Sequence, residues 1–170
     1  MPNLSPGDLA PHFVLPSAKG EEVDLKSYRN KKNVILYFYP KDNTPGCTKQ
    51  ACAFRDALAE IKKANSVILG VSLDSIDSHR RFIEKYTLPF TLLSDPDAAV
   101  SKAYGVYKLK KMYGREFWGI ERSTFLIDRS GRIIQSFPRV KVDAHVDEVL
   151  STLKRARTEG KGEKSKGRTT

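Results

Sequence analysis

Val34-Ile35-Leu36-Tyr37-Phe38-Tyr39 runs into Pro40-Lys41-Asp42-Asn43-Thr44, and then into Pro45-Gly46-Cys47. The apolar run is rich in β-branched and aromatic residues, the composition of a strand buried on both faces. Pro40 lacks an N–H and fixes φ, so it ends the strand and shapes the turn. Pro45 suits the first position of a helix, where its missing N–H would have no partner anyway. Thr44, one residue earlier, reads as the N-cap. Strand, turn and helix therefore follow one another within twenty residues, and Cys47 falls in the first helical turn. There the helix dipole and the free backbone N–H groups favour an anion, a setting that promotes a thiolate nucleophile.

The chain has only two cysteines, Cys47 and Cys52. On an intact helix five residues correspond to a rise of about 7.5 Å and a turn of about 140°. The Cα atoms would stand roughly 8–9 Å apart with diverging side chains, beyond the roughly 7 Å reach of a disulfide. Either the thiols never pair, or the first turns of the helix unwind when they do. Two cysteines are also too few ligands for a structural zinc site.

Outward from this stretch, strands and helices alternate. Residues 12–16 and 22–25 read as short strands around Lys19-Gly20. A helix runs from Pro45 to about Lys63, with Ala51, Phe54, Leu58 and Ile61 on its apolar face. Residues 66–73 repeat the buried-strand pattern, and a helix from about Ser75 carries Phe82, Ile83 and Tyr86 inward. Thr91-Leu92-Leu93 is a short strand, 97–104 a short helix and 106–122 an irregular strand. Residues 123–127 and 132–137 read as a hairpin around Asp128-Arg129-Ser130-Gly131. A last helix from about Asp143 buries Val146, Val149, Leu150 and Leu153. This order suits an α/β fold with a mixed central sheet and helices on both faces.

A chain of 170 residues is one domain with a real core. No apolar run approaches the ~18 residues of a membrane span, and no signal peptide is visible. A reducing, cytoplasmic setting and no membrane partner are the resulting expectations. The net charge is +10. Over 155–170 it rests on Arg155, Arg157, Lys161, Lys164, Lys166 and Arg168 against Glu159 and Glu163. The domain is read as 1–157. Residues 158–170, which lack apolar side chains, read as a basic, disordered tail. The tail is either a solvated end or an arm for nucleic acid or an acidic partner.

Pro40-x-x-x-Thr44-x-x-Cys47 resembles the active-site pattern of the peroxiredoxins. The stretch from Thr44 to Cys52 looks like the group called bacterioferritin comigratory protein, or peroxiredoxin Q. Gly7-Asp8-Leu9-Ala10-Pro11-His12-Phe13, Ser94-Asp95-Pro96 and the segment from Gly119 to Asp128 carry the resemblance through nearly all of the globular part. It implies a thioredoxin-like fold and thiol-dependent reduction of hydrogen peroxide and organic hydroperoxides. Cys47 would be the peroxidatic cysteine, Cys52 the resolving one, and Thr44 and Arg122 the catalytic threonine and arginine. Pro40 would act through shape. An intramolecular Cys47–Cys52 disulfide would then be reduced by thioredoxin or a similar dithiol protein. No metal, haem, flavin or nicotinamide cofactor is expected, and the chain is expected to be a monomer.

Each assignment has a plainer alternative. Cys47 reads equally as an inert buried thiol and Cys52 as a core residue. Thr44 would cap the helix whatever the chemistry, and spacing does not select Arg122 over Arg115 or Arg139. His12, His79 and His145 are scattered and read as surface or satisfied residues. Phe38 is assigned to the core, whereas Tyr39, Phe117 and Trp118 suit either core or a collar around the site. Two functional rivals remain at this stage. One is a general thiol–disulfide oxidoreductase, disfavoured because that chemistry prefers Cys-x-x-Cys. The other is a nucleic-acid-binding protein acting through the tail.

Overall fold

A computed structural model describes the backbone of residues 4–167 and the side chains as far as Arg157. Its central strand is the one from which the sequence reading began, β3 (Asn33–Phe38). Before it come β1 (Val14–Pro16) and β2 (Glu22–Asp24), an antiparallel pair. After it come α1 (Pro45–Asp56), α2 (Leu58–Lys63), β4 (Ser66–Ser72), α3 (Ile76–Tyr86), β5 (Thr91–Ser94) and α4 (Ala99–Ala103). The chain continues as β6 (Tyr107–Met112), β7 (Arg115–Ile120), β8 (Ser123–Ile127), β9 (Ile133–Phe137) and α5 (His145–Gly167). The main sheet has the order β5-β4-β3-β8-β9. The β3–β4 and β4–β5 pairs are parallel, and β3–β8 and β8–β9 are antiparallel. This is a mixed sheet with flanking helices in a thioredoxin-like arrangement.

The strand period of two divides the core. Val34, Leu36 and Phe38 face one layer with Phe13, Tyr104 and Phe125. Ile35, Tyr37 and Tyr39 face the other, with Cys47, Ala51, Phe54, Phe82 and Val149. Tyr39 thus belongs to the core with Phe38, whereas Phe117 and Trp118 stand exposed. Val146, Val149, Leu150 and Leu153 are buried as the α5 pattern requires.

Three local expectations change. The helix foreseen from Pro45 to Lys63 breaks at Ala57, whose φ of −97° and ψ of 5° leave the helical range. Periodicity does not register this pause, because Ala51, Phe54 and Ile61 keep one buried face across it. The irregular strand foreseen over 106–122 is a regular antiparallel hairpin, β6–β7. Tyr113 and Gly114 form its two-residue turn, both with positive φ (54° and 76°), the type I′ geometry that matches strand twist. Tyrosine at the first of these positions hides the turn from a sequence reading. Finally, α5 starts at His145 rather than near Asp143, and its backbone continues to Gly167. The expectation of a disordered tail over 158–170 falls on residues whose side chains, and at 168–170 whose backbone as well, lie outside the described residues. Among the described residues no helix is long and apolar enough to cross a membrane.

Gly70 shows how tightly the second layer closes on β4. A Cβ there would lie 2.7 Å from Leu92 Cδ2 and 2.9 Å from the Tyr37 ring and hydroxyl. Leu92 and Tyr37 are both fully buried and cannot swing away. Gly70→Ala is expected to destabilise the fold by about 1–3 kcal/mol through overpacking. Thermal unfolding should show this as a melting temperature lower by several degrees.

Candidate active site

The site forms where β3 ends and α1 begins. Pro45 and Gly46 open α1 and Cys47 follows in its first turn. The Cys47 side chain is buried, at 2% exposure. Arg122, just ahead of β8, donates from Nη2 to Cys47 Sγ at 3.3 Å. Its Nη1 donates to Gln50 Oε1 at 2.7 Å. Gln50, one helical turn beyond Cys47, is itself buried, and its Nε2 has no protein partner. The thiol therefore sits between a helix N-terminus and a guanidinium that a buried amide holds in place. Both settings turn N–H donors toward the sulfur.

Gly46 is part of this geometry. A Cβ there would lie 3.1 Å from Arg122 Nη2, close enough to press on the group that meets the sulfur. Thr44 departs from expectation. It occupies the N-cap position, but its hydroxyl makes no cap bond. Instead Oγ1 donates to the Lys41 carbonyl at 2.8 Å, which leaves the oxygen's lone pairs free to accept. Pro40 follows the strand and is half-buried. Cys52 lies farther along the intact α1, half-buried, and both cysteines are free thiols. Arg122 is thus the arginine that meets Cys47. Arg115 sits at the far end of the β6–β7 hairpin and Arg139 lies in a left-handed loop after β9.

The loop before Cys47 is fastened by groups that the sequence reading passed over. Asp42 accepts from Tyr39 Oη (2.6 Å), from Ser78 Oγ (2.8 Å) and from His79 Nδ1 (2.7 Å). His79 Nε2 donates to the Leu93 carbonyl at 2.8 Å. Asp74 Oδ2 accepts from the Asp42 amide (2.8 Å) and from Ser72 Oγ (2.6 Å). The ligand-type atoms of Asp42, Asp74 and His79 lie within 4.8 Å of one another, as in a metal site. Each is already engaged by a protein hydrogen bond, so the cluster is a hydrogen-bonded knot. Asn43, in the left-handed region at φ 60°, accepts from Tyr86 Oη at 3.0 Å. Thus α3 holds the loop that presents Thr44 and Cys47. The position of His79 three and seven residues before Phe82 and Tyr86 was the available signal for its burial.

His145 opens α5, beside Phe54 of α1 and Phe137 of β9. Thr124 Oγ1 meets its Nε2 at 2.9 Å, and Phe54 and Phe137 flank the ring edge-to-face. Burial, and then the Arg122 charge, pull its pKa down to about 4. The histidines read as surface or satisfied residues divide accordingly. His79 and His145 are buried and hydrogen-bonded, whereas His12 is exposed and meets Asp24 at 2.8 Å.

Residues 6–136 match the model of the AhpC/TSA family. The chain belongs to that family. It is 52% identical over 89% of its length to a putative peroxiredoxin Bcp of Coxiella burnetii, 99% of which is covered. A solved mutant structure of Xylella fastidiosa PrxQ matches with a TM-score of 0.86 at 39% identity, covering 92% of this chain and 99% of that one. A structure of the Xanthomonas campestris bacterioferritin comigratory protein matches with a TM-score of 0.80 at 42% identity, covering 85% and 91%. That work concerned the protein's alkyl peroxide reduction activity. The chain is therefore a peroxiredoxin of the Bcp/PrxQ kind, a thiol peroxidase with a thioredoxin-like fold.

His145 makes this region acid-sensitive. Its folded value near 4 lies below the ordinary value near 6.5 of an unfolded chain. Between about pH 6.5 and 4 the unfolded chain takes up a proton that the folded chain refuses, so stability falls as pH falls through that window. The contribution is on the order of 2–3 kcal/mol. Melting temperatures measured across this range should decline less steeply for His145→Asn than for the parent.

Proposed function

We propose that the Cys47 thiolate carries the peroxidase reaction, and that hydrogen peroxide and alkyl hydroperoxides are its substrates. The observation that carries this is the Arg122 guanidinium 3.3 Å from a buried thiol at a helix N-terminus. Sγ attacks the nearer peroxide oxygen, an S–O bond forms and the O–O bond breaks. The leaving hydroxide or alkoxide takes a proton to become water or alcohol. Cys47 is oxidised to a sulfenic acid. Arg122 stabilises the sulfur before attack and the oxygen that gains charge during it. The free lone pairs of Thr44 Oγ1 accept from the peroxide O–H, and the unengaged Nε2 of Gln50 is a further donor for an oxygen. Pro40 contributes shape.

Cys52 then attacks the sulfenic sulfur, an S–S bond forms and the hydroxyl leaves as water. In the intact α1 this attack is out of reach, so the first turns of α1 unwind for it. A dithiol protein such as thioredoxin takes over the disulfide and returns both thiols. The stretch between the cysteines is short and helical, unlike the accessible Cys-x-x-Cys of a general disulfide exchanger. We read the protein as a monomer working in the cytoplasm.

Two cysteine variants test the route. Cys47→Ser should lose peroxide consumption altogether. Cys52→Ser should react once, gaining the mass of one oxygen, and then fail to turn over with thioredoxin. Activity in Cys47→Ser, or normal turnover in Cys52→Ser, would overturn the assignment of the corresponding thiol.

Arg122→Met removes the charge beside the sulfur and leaves Gln50 Oε1 without its donor. The second-order rate with peroxide should fall by roughly 10²-fold or more. An unchanged rate in stopped-flow measurements would show that the guanidinium takes no part.

A further inference from the structure

We propose that the β6–β7 hairpin is a docking surface for anionic phospholipid bilayers. Seven large apolar side chains stand exposed among the described residues, and five of them lie on this one hairpin: Leu109, Met112, Tyr113, Phe117 and Trp118. Such clustering marks an interaction surface, whereas single exposed apolar residues need no explanation. Among the described residues the two strands pair only with each other and stand apart from the main sheet's ladder.

The distribution of these groups favours a lipid surface over a protein partner. Facing residues of an antiparallel pair share a side. Leu109 and Trp118 are register partners on one side, where Trp118 stacks on Tyr107 at 5.6 Å. Phe117 faces Lys110 on the opposite side, and Met112 faces Arg115 there as well. Tyr113 stands at the tip, 98% exposed. A protein partner would cover one side of the ribbon. Here apolar groups occupy both sides and the tip, which suits insertion edge-on into a headgroup layer.

The charge fits the same occupant. Lys108, Lys110, Lys111 and Arg115 flank the apolar groups, against Glu116 alone, which Lys111 meets at 3.5 Å. Lysine and arginine bury their stems among apolar neighbours and keep their charge at headgroup level, and tryptophan and tyrosine favour that same layer. Basic clusters of this kind are attracted to anionic leaflets. The absence of a spanning helix, on which the expectation of no membrane partner rests, does not bear on a hairpin lying at the surface. The hairpin also borders the thiol site. Half-burial, and then the Arg122 charge, hold Lys110 below its ordinary pKa.

The docking is independent of peroxide chemistry, and so is its test. Trp118 is the single tryptophan of the chain, so its fluorescence reports on this hairpin. Full-length protein is mixed with vesicles of phosphatidylglycerol and phosphatidylcholine in equal parts, or of phosphatidylcholine alone. The anionic vesicles should shift Trp118 emission to the blue, and brominated acyl chains should quench it. Neutral vesicles should bind about tenfold more weakly or worse. Met112→Ser combined with Tyr113→Ser should weaken anionic-vesicle binding by a similar factor, with thermal unfolding of the variant unchanged. Co-sedimentation without any change in Trp118 emission would place the contact in the basic C-terminal residues and overturn the proposal. A blue shift that grows with protein concentration without vesicles would assign the face to a second copy. A shift produced only by added thioredoxin would assign it to the reductant. Either outcome overturns lipid docking.

Discussion

The register of β8 on β3 is the constraint from which the site follows. Phe38 pairs with Ser123, so Arg122 is level with the point where the chain leaves β3 for the loop and α1. That alignment brings the guanidinium to a sulfur 75 residues away in sequence. A slip of one residue would turn every side chain of β8 to the other face. Ser123 to Ile127 are all buried, so the apolar packing of both layers opposes such a slip. The same packing that stabilises the fold therefore sets the distance between arginine and thiol. Little further orientation is needed, since Gln50 fixes the second guanidinium nitrogen and Gly46 leaves room for the first.

Much of this was legible in the sequence because the signals are local. The apolar run of β3, the two prolines and the position of Cys47 lie within fourteen residues, where periodicity and turn chemistry apply directly. The helices of the core could be read from their apolar faces for the same reason. What sequence reading missed is side-chain pairing across distance. Arg122 could be told from Arg115 and Arg139 only through resemblance, because spacing carries no information about strand register. Asp42 and His79, 37 residues apart, are each unremarkable alone, and only the stacking of α3 over the loop makes them a pair. Thr44 was misjudged in the opposite sense. Its type and place both signal a cap, yet the neighbouring Lys41 carbonyl competes successfully for the hydroxyl. Such competition between local partners is the usual reason that threonine is a weak predictor of its own bond.

The proposed route would place two demands on helix α1. As a helix it aims its N-terminal N–H groups at the thiol and keeps Ala51 and Phe54 in the core. For Cys52 to reach Cys47, its first turns have to open. The sequence compromises: Gly46 and Thr48 are weak helix formers at the start, whereas Gln50 and Ala51 combine propensity with burial and Phe54 adds burial farther along. Phe54, which anchors the end of the helix in the core, takes no part in holding the thiol. Opening can therefore begin at the N-terminus without costing the core contacts of Phe54.

On the proposed route through a Cys47–Cys52 disulfide, the knot around Asp42 would set the boundary of that opening. Ser78 and His79 from α3 and Ser72 from β4 hold Asp42 and Asp74 in place, the Leu93 carbonyl of β5 fixes His79 in turn, and none of them belongs to α1. The chain is consequently pinned on both sides of the turns that would open, at Asp42 upstream and at Phe54 downstream. A thiol on so short a tether does not diffuse away when its helix frays. It samples a volume little wider than the tether, which keeps the second sulfur at a local concentration on the order of millimolar or above. Encounter between the two cysteines then depends on the geometry of two fixed posts and hardly at all on the concentration of protein, so ring closure can outpace the approach of a thiol from outside.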